Sequence, residues 1–267
     1  LLIVGDKQEY VMCPIPMIFA WRISSGVYYD LVSAGGDVSR EMGDRFQCYC
    51  LELMQHQLTE FKVEKEFTYK FQKKNMASPD ILLSTDKLKL VVECKFKRMT
   101  LEDKYQFRAG NEPTLGEKEL IKGIAQVWRY FSHLRTGVID SIVVDQNAVG
   151  LILTMDSWHV LSEARRNMIY VAASRYCDEK YEYVVEADKK PVAFCDIKDF
   201  ERLLAQSSDE NFLKTIQAAA TRKYGGYMVS SILREVAEPL KEIKPFPFAS
   251  RLKEIIPLWA LVDEPDK

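Results

Sequence analysis

Between Ile81 and Phe96 the chain reads Ile-Leu-Leu-Ser-Thr-Asp-Lys-Leu-Lys-Leu-Val-Val-Glu-Cys-Lys-Phe, two short apolar runs separated by a polar turn. Ile81–Leu83 predicts a short strand, Thr85–Lys87 a hairpin turn, and Leu88–Phe96 a second β-rich run. The second run ends in Glu93 and Lys95 directly after Leu90, Val91 and Val92, a place where charges are costly to keep. Side chains alternate along a strand, so Glu93 and Lys95 point the same way. Asp80, after Pro79, stands at the start of the first run. If the two strands pair as a hairpin, its open end brings Asp80 close to Glu93, with Lys95 beside them.

The flanks predict what surrounds this hairpin. Met42, Phe46, Tyr49, Leu53 and Leu58 recur at roughly helical spacing and predict an amphipathic helix from Glu41 to about Glu60. Phe61, Val63, Lys65, Phe67, Tyr69 and Phe71 alternate with Lys62, Glu64, Glu66, Thr68 and Lys70, a period-two pattern for one half-buried strand, followed by a turn with Asn75, Ser78 and Pro79. Past a polar loop with Gly110, Asn111 and Pro113, the stretch Gly116 to Arg135 predicts a helix with Ile121, Ile124, Trp128 and Phe131 on its apolar side. Val149 to Met155 predicts a buried strand. Beyond Ser157 the pattern is mainly helical, with a strand around Pro191 to Cys195 and helices near Asp199–Leu204 and Asn211–Arg222. This order describes an α/β fold: a lead-in over residues 1–40, a core over 41–157, and an α-rich C-terminal extension over 158–267. The lead-in, which begins at Leu1 and not Met, is expected to belong to a missing upstream region. Tyr181, Tyr183, Phe194 and Phe200 read as core aromatics.

Composition narrows the function classes. The chain has 267 residues, 47% of them hydrophobic, enough for a sizeable folded core. Its formal net charge is -2, so any contact with a polyanion must be a local patch. The six cysteines form no C-x-x-C pair and the three histidines, His56, His133 and His159, show no zinc-hydrolase spacing. Reduced thiols and an intracellular location are expected. The apolar stretch Tyr10–Trp21 is broken by Pro14 and Pro16 and is too short to span a bilayer as a helix, so no membrane association is expected.

Two carboxylates and an amine suit phosphodiester hydrolysis, which needs an activated water and a stabiliser for charge on phosphorus; a divalent metal supplies both and needs few protein carboxylates. Ser78-Pro79-Asp80 and Glu93-Cys94-Lys95 resemble the signature of the PD-(D/E)-x-K nuclease superfamily, which includes many restriction-like endonucleases. The resemblance covers roughly Glu41 to Met155. It implies a restriction-endonuclease-like mixed β-sheet flanked by helices, with Asp80, Glu93 and the backbone carbonyl of Cys94 binding Mg2+ or Mn2+, and Lys95 orienting the water or stabilising charge. Gln126 and Tyr130 reproduce the Q-x-x-x-Y spacing found on the following helix of such nucleases, and four residues apart means one helix face. Lys97, Arg98, Lys122 and Arg129 are the expected contacts to the nucleic acid. The sequence departs from the pattern after Gly43, where Gln47 stands in place of a glutamate; Glu52 and Glu66 are alternative substitutes.

The resulting expectation is a metal-dependent DNA endonuclease, an effector in restriction, defence or repair, acting on double-stranded DNA as an oligomer or with an activating partner. Two alternatives stand beside it: a catalytically silent nucleic-acid-binding or assembly module, and an RNase or structure-specific nickase.

Overall fold

A computed structural model describes residues 2–5, 9–12, 15, 17, 26–28, 36–97, 113–157, 163–181 and 183–255. Arg98, Gly110, Asn111 and His159, named above, lie outside the described residues. The chain divides into two compact units, Leu1–Arg45 and Phe46–Lys267. The first contains the antiparallel strands β1 (Leu2–Gly5) and β2 (Glu9–Met12). Helix α1 (Gly36–Gln57) begins in that unit and ends in the second.

In the second unit, β3 (Lys62–Lys65), β6 (Ile81–Ser84), β7 (Leu88–Lys95), β8 (Val144–Thr154) and β9 (Val192–Asp196) form a five-stranded sheet in that order. Pairing is antiparallel from β3 to β7 and parallel from β7 to β9. The mixed sheet flanked by helices expected from the sequence is present. Its fifth strand, β9, comes from the segment assigned above to the helical extension, so the sheet is not complete at residue 157.

The runs Ile81–Leu83, Leu90–Val92 and Ala148–Leu153 within the central strands are apolar without interruption because both their faces are covered. Helix α2 (Leu115–Arg135) lies over β7 and β8 on one face, burying Ile124, Ala125 and Val127 against Val91 and Ile152. A side chain at Gly150 would start 2.8 Å from Val127 Cγ1, which shows how closely helix and strand approach there. Helix α3 (Glu163–Lys180) packs on α2. Leu151 and Leu153 alternate to the opposite face and are fully buried there. Helices α4 (Ile197–Gln206) and α5 (Asp209–Ala219) pack on β8 and β9, and Cys50 of α1 meets Cys94 and Cys195. Tyr49 donates to Glu201 at 2.5 Å, tying α1 to α4. Two short helices, α6 (Val229–Val236) and α7 (Ala249–Ile255), complete the described chain.

Helix α2 starts at a reciprocal cap in which the Glu117 N–H donates to Thr114 Oγ1 at 3.3 Å and the Thr114 N–H donates to Glu117 Oε2 at 2.7 Å. The same carboxylate receives the Arg165 guanidinium, locking α3 to the start of α2.

The alternating segment 61–71, expected as one strand, is two. β3 leaves the sheet after Lys65; β4 (Thr68–Phe71) then pairs with β5 (Lys74–Ala77) in a separate two-stranded ribbon. Asn75, expected in a turn, lies in β5. The Glu66 N–H still donates to the Asp80 carbonyl at 2.9 Å, one step beyond the Lys65–Ile81 pair, and the break follows where Ser78 Oγ takes the Phe67 N–H at 2.9 Å and the register shifts by one residue to the Thr68–Ala77 pair. Alternation continues through the bend in phase, so periodicity alone could not reveal it.

Candidate active site

Strand register places the acids. Ile81 pairs with Val92 in the antiparallel ladder, so one residue further on Asp80 comes opposite Glu93. Asp80 Oδ2 accepts the Cys94 N–H at 2.6 Å, replacing the ladder bond that β6 no longer makes. On a strand the N–H and C=O of one residue point to the same side, so the Cys94 carbonyl also faces the Asp80 side, past the end of β6. The next carbonyl, Lys95, turns the other way and accepts from the Met155 N–H at 3.2 Å.

Glu93 and Lys95 both project toward α2. Lys95 Nζ donates to Glu93 Oε1 at 2.8 Å and to Gln126 Oε1 at 2.9 Å. Glu93 is only 4% exposed, and its second oxygen, Oε2, is buried with no hydrogen-bond partner among the described residues. Burial and then the Glu93 charge push the Asp80 carboxyl up to about 8, against the lowering effect of the Cys94 N–H and Lys95. Burial by itself would lower the pKa of Lys95; the Glu93 charge and hydrogen bond outweigh it, and the net shift is upward, so the ammonium keeps its proton.

Two residues that complete this arrangement carry no motif. Gly123 lies on α2 one turn before Gln126, where a Cβ would sit 3.1 Å from Lys95 Cε and 3.6 Å from Glu93 Cγ. Only hydrogen leaves the Lys95 side chain room to lie flat under the helix. A glycine inside a helical pattern is the one sequence signal that could have pointed there. Glu66, whose charge also raises the Asp80 pKa, stands near the acids. Glu52 instead pairs with Arg251 at 3.0 Å and accepts from Cys48.

The remaining expected residues are spread more widely. Tyr130 is fully buried and its hydroxyl has no hydrogen-bond partner among the described residues; it meets Tyr69 of the β4–β5 ribbon edge-on at 6.4 Å and does not hydrogen-bond to the group around Lys95. Arg129 donates to the Ala77 carbonyl at 3.0 Å and lies over the Tyr181 ring. Lys97 and Lys122 converge on Glu119, at 3.1 and 3.2 Å.

The described residues contain no group of three or more His, Cys, Asp and Glu side chains placed to hold a metal. Magnesium keeps several of its waters and needs only one or two carboxylates. Asp80 and Glu93 meet that lower requirement. The unpartnered Glu93 oxygen, the raised Asp80 pKa and the Cys94 carbonyl beyond the strand end make a hard-oxygen donor set short of positive charge.

The fold and this group of side chains describe an α/β protein with an acid–acid–lysine cluster at one end of a mixed sheet. No family model matches the chain, and no curated protein matches it. Among solved structures it is similar to the small subunit of the heterodimeric restriction endonuclease R.BspD6I, with 15% identity and a TM-score of 0.39 over 72% of this chain and 87% of that one. No described helix is long and apolar enough to cross a membrane.

Proposed function

We propose that this protein is a metal-dependent endonuclease that hydrolyses phosphodiester bonds in DNA, using Mg2+ or Mn2+. The observation that carries the reading is the buried, unpartnered Oε2 of Glu93 beside an Asp80 whose ionisation is suppressed by burial and by Glu93 itself. A buried carboxylate oxygen without a partner is costly, and a divalent cation held by Asp80 and Glu93 would remove that cost and let both ionise.

Asp80, Glu93 and the Cys94 carbonyl would hold the ion. Bound there, the metal supplies a lowered pKa for a coordinated water and charge stabilisation at the scissile phosphate. Lys95 stays protonated against Glu93 and can donate to the attacking water or to a phosphate oxygen; Gln126 holds it in place. Tyr130 supports the ribbon from within the core. Lys97 and Lys122 reach a phosphate only by exchanging Glu119 for it, and Arg129 is committed to Ala77 and Tyr181. DNA as substrate, and a role in restriction, defence or repair with an activating partner, rest on the resemblance of the Asp80, Glu93 and Lys95 motif.

The test is cleavage of supercoiled plasmid in Mg2+ or Mn2+ by the wild type, Asp80→Ala and Lys95→Ala. Nicking or linearisation by the wild type, lost in both variants and in EDTA, supports the reading. Equal cleavage by all three proteins rejects it, and an inactive wild type that still binds duplex supports a silent binding module.

A further inference from the structure

We infer that the β4–β5 ribbon is the arm by which this protein grips the phosphate backbone of duplex DNA beside the cleavage point, an inference that rests on the nuclease reading and gives its substrate contact a location. From Phe67 to Pro79 the chain carries Lys70, Lys73 and Lys74 and no acidic residue. All three lysines are exposed, and among the described residues none of them forms an ion pair. Elsewhere Lys62 pairs with Glu64, Lys97 and Lys122 with Glu119, and Lys89 with Asp145. On a chain of net charge -2, this ribbon is a local positive patch.

The ribbon is rigidly mounted. Its inner face packs on α2 and on the turn that follows α3, with the Phe71 ring 4.3 Å from His133 and 4.9 Å from Tyr183, and the Tyr69 hydroxyl 2.7 Å from His133 Nδ1. Register then turns Lys70 and its partner Asn75 outward together and sets Lys74, the partner of Phe71, exposed at the end of the other face, so the lysines flank the tip on both sides. A two-residue loop, Gln72-Lys73, closes the ribbon with φ of 48° and 66°. Such a loop ordinarily takes Asn-Gly; here two long polar side chains accept the left-handed backbone and stand at the tip.

The ribbon also has the correct reach. Its second strand runs through Ala77, Ser78 and Pro79 directly into Asp80. Seven residues separate Lys73 from Asp80, at most about 23 Å of extended chain, or roughly seven base-pair steps. That span keeps the three ammonium groups within one turn of duplex from the metal site, on phosphates flanking the bond to be cut. The major groove is wide enough to admit a two-stranded ribbon.

The experiment measures binding of a labelled duplex, with calcium in place of magnesium, by the wild type, by Lys70→Gln/Lys73→Gln/Lys74→Gln, and by a charge-matched control, Lys198→Gln/Lys214→Gln/Lys241→Gln, at exposed positions elsewhere. Losing three phosphate contacts flattens the salt dependence by about 2.7 in slope, so that from roughly 50 to 200 mM salt the wild type loses about 40-fold more affinity than the ribbon variant. The control keeps the wild-type slope, and all three proteins melt alike. A ribbon variant with the slope of the wild type, equal flattening in the control, or a wild type that does not bind duplex overturns the inference. Plasmid cleavage run in parallel separates the two readings: a wild type that binds through the ribbon without cutting removes the nuclease and leaves the arm, and one that cuts with the ribbon slope unchanged does the reverse.

Discussion

Replacing Gly123 by alanine tests whether α2 is held against the strand for the sake of Lys95. The new methyl carbon would lie 3.0 Å from Ile152 Cδ1 and 3.1 Å from Lys95 Cε, against about 3.5 Å or more for comfortable carbon contacts. Ile152 is fully buried in β8 and has little room to retreat, so Lys95 must move by about half an ångström. A shift of that size takes its 2.8 and 2.9 Å hydrogen bonds out of good range. Alanine gains about 1 kcal/mol in helix propensity while overpacking costs about 1–3 kcal/mol, leaving a net loss between zero and about 2 kcal/mol. The protein stays folded, and the cleavage rate at saturating metal is expected to fall about 10- to 100-fold. Gly43, also helical, has nothing within 4 Å of its Cβ direction; Gly43→Ala should raise stability by up to about 1 kcal/mol and leave the rate alone. Single-turnover cleavage and urea denaturation of both variants decide the matter. A Gly123→Ala protein that cuts within about twofold of wild type would refute the argument that this contact sets the lysine.

Three further outcomes follow from the same geometry. Asp80 keeps its proton up to about 8 when folded and releases it near 4 when unfolded, so the metal-free protein should lose stability as pH rises between those values, by at most about 1.4 kcal/mol per pH unit, and level off above. Asp80→Asn should remove that slope in urea melts in EDTA, and should also abolish the stabilisation by added Mg2+. Gln126→Leu frees Lys95 from one of its two anchors and is expected to lower the cleavage rate about 10-fold with unchanged duplex affinity, a split visible in kcat against KM. Burial would raise the Glu117 pKa, but Arg165 and the Thr114 N–H hold it below the usual carboxylate value; Glu117→Ala should cost about 2–4 kcal/mol at neutral pH, a difference that shrinks as pH falls through the folded pKa.

Local chemistry was enough to determine the elements that hold the acids. Uninterrupted apolar residues at Ile81–Leu83 and Leu90–Val92 require strands buried on both faces, and helical spacing from Gly116 to Arg135 gave α2 to within a residue. The nearness of Asp80 to Glu93 was legible because a hairpin has a register and a register has partners. What lay beyond the sequence depends on groups brought together from far along the chain. β9 joins the sheet because Gly150–Thr154 offers a parallel edge to Val192–Asp196, and no local pattern encodes which edge a strand will take. The alternating run 61–71 looks the same whether it forms one strand or two; the contact between Phe67 and Ser78, where the register shifts by one residue, divides it. Charge follows the same division. Glu119 stands one turn before Lys122 on the same helix, and only the fold brings Lys97 to that carboxylate, while the ribbon from Phe67 to Pro79 holds Lys70, Lys73 and Lys74 without an acid of its own. Periodicity determines which face a residue occupies; only the tertiary structure decides which residue stands opposite, because that choice is made by packing and pairing between distant segments.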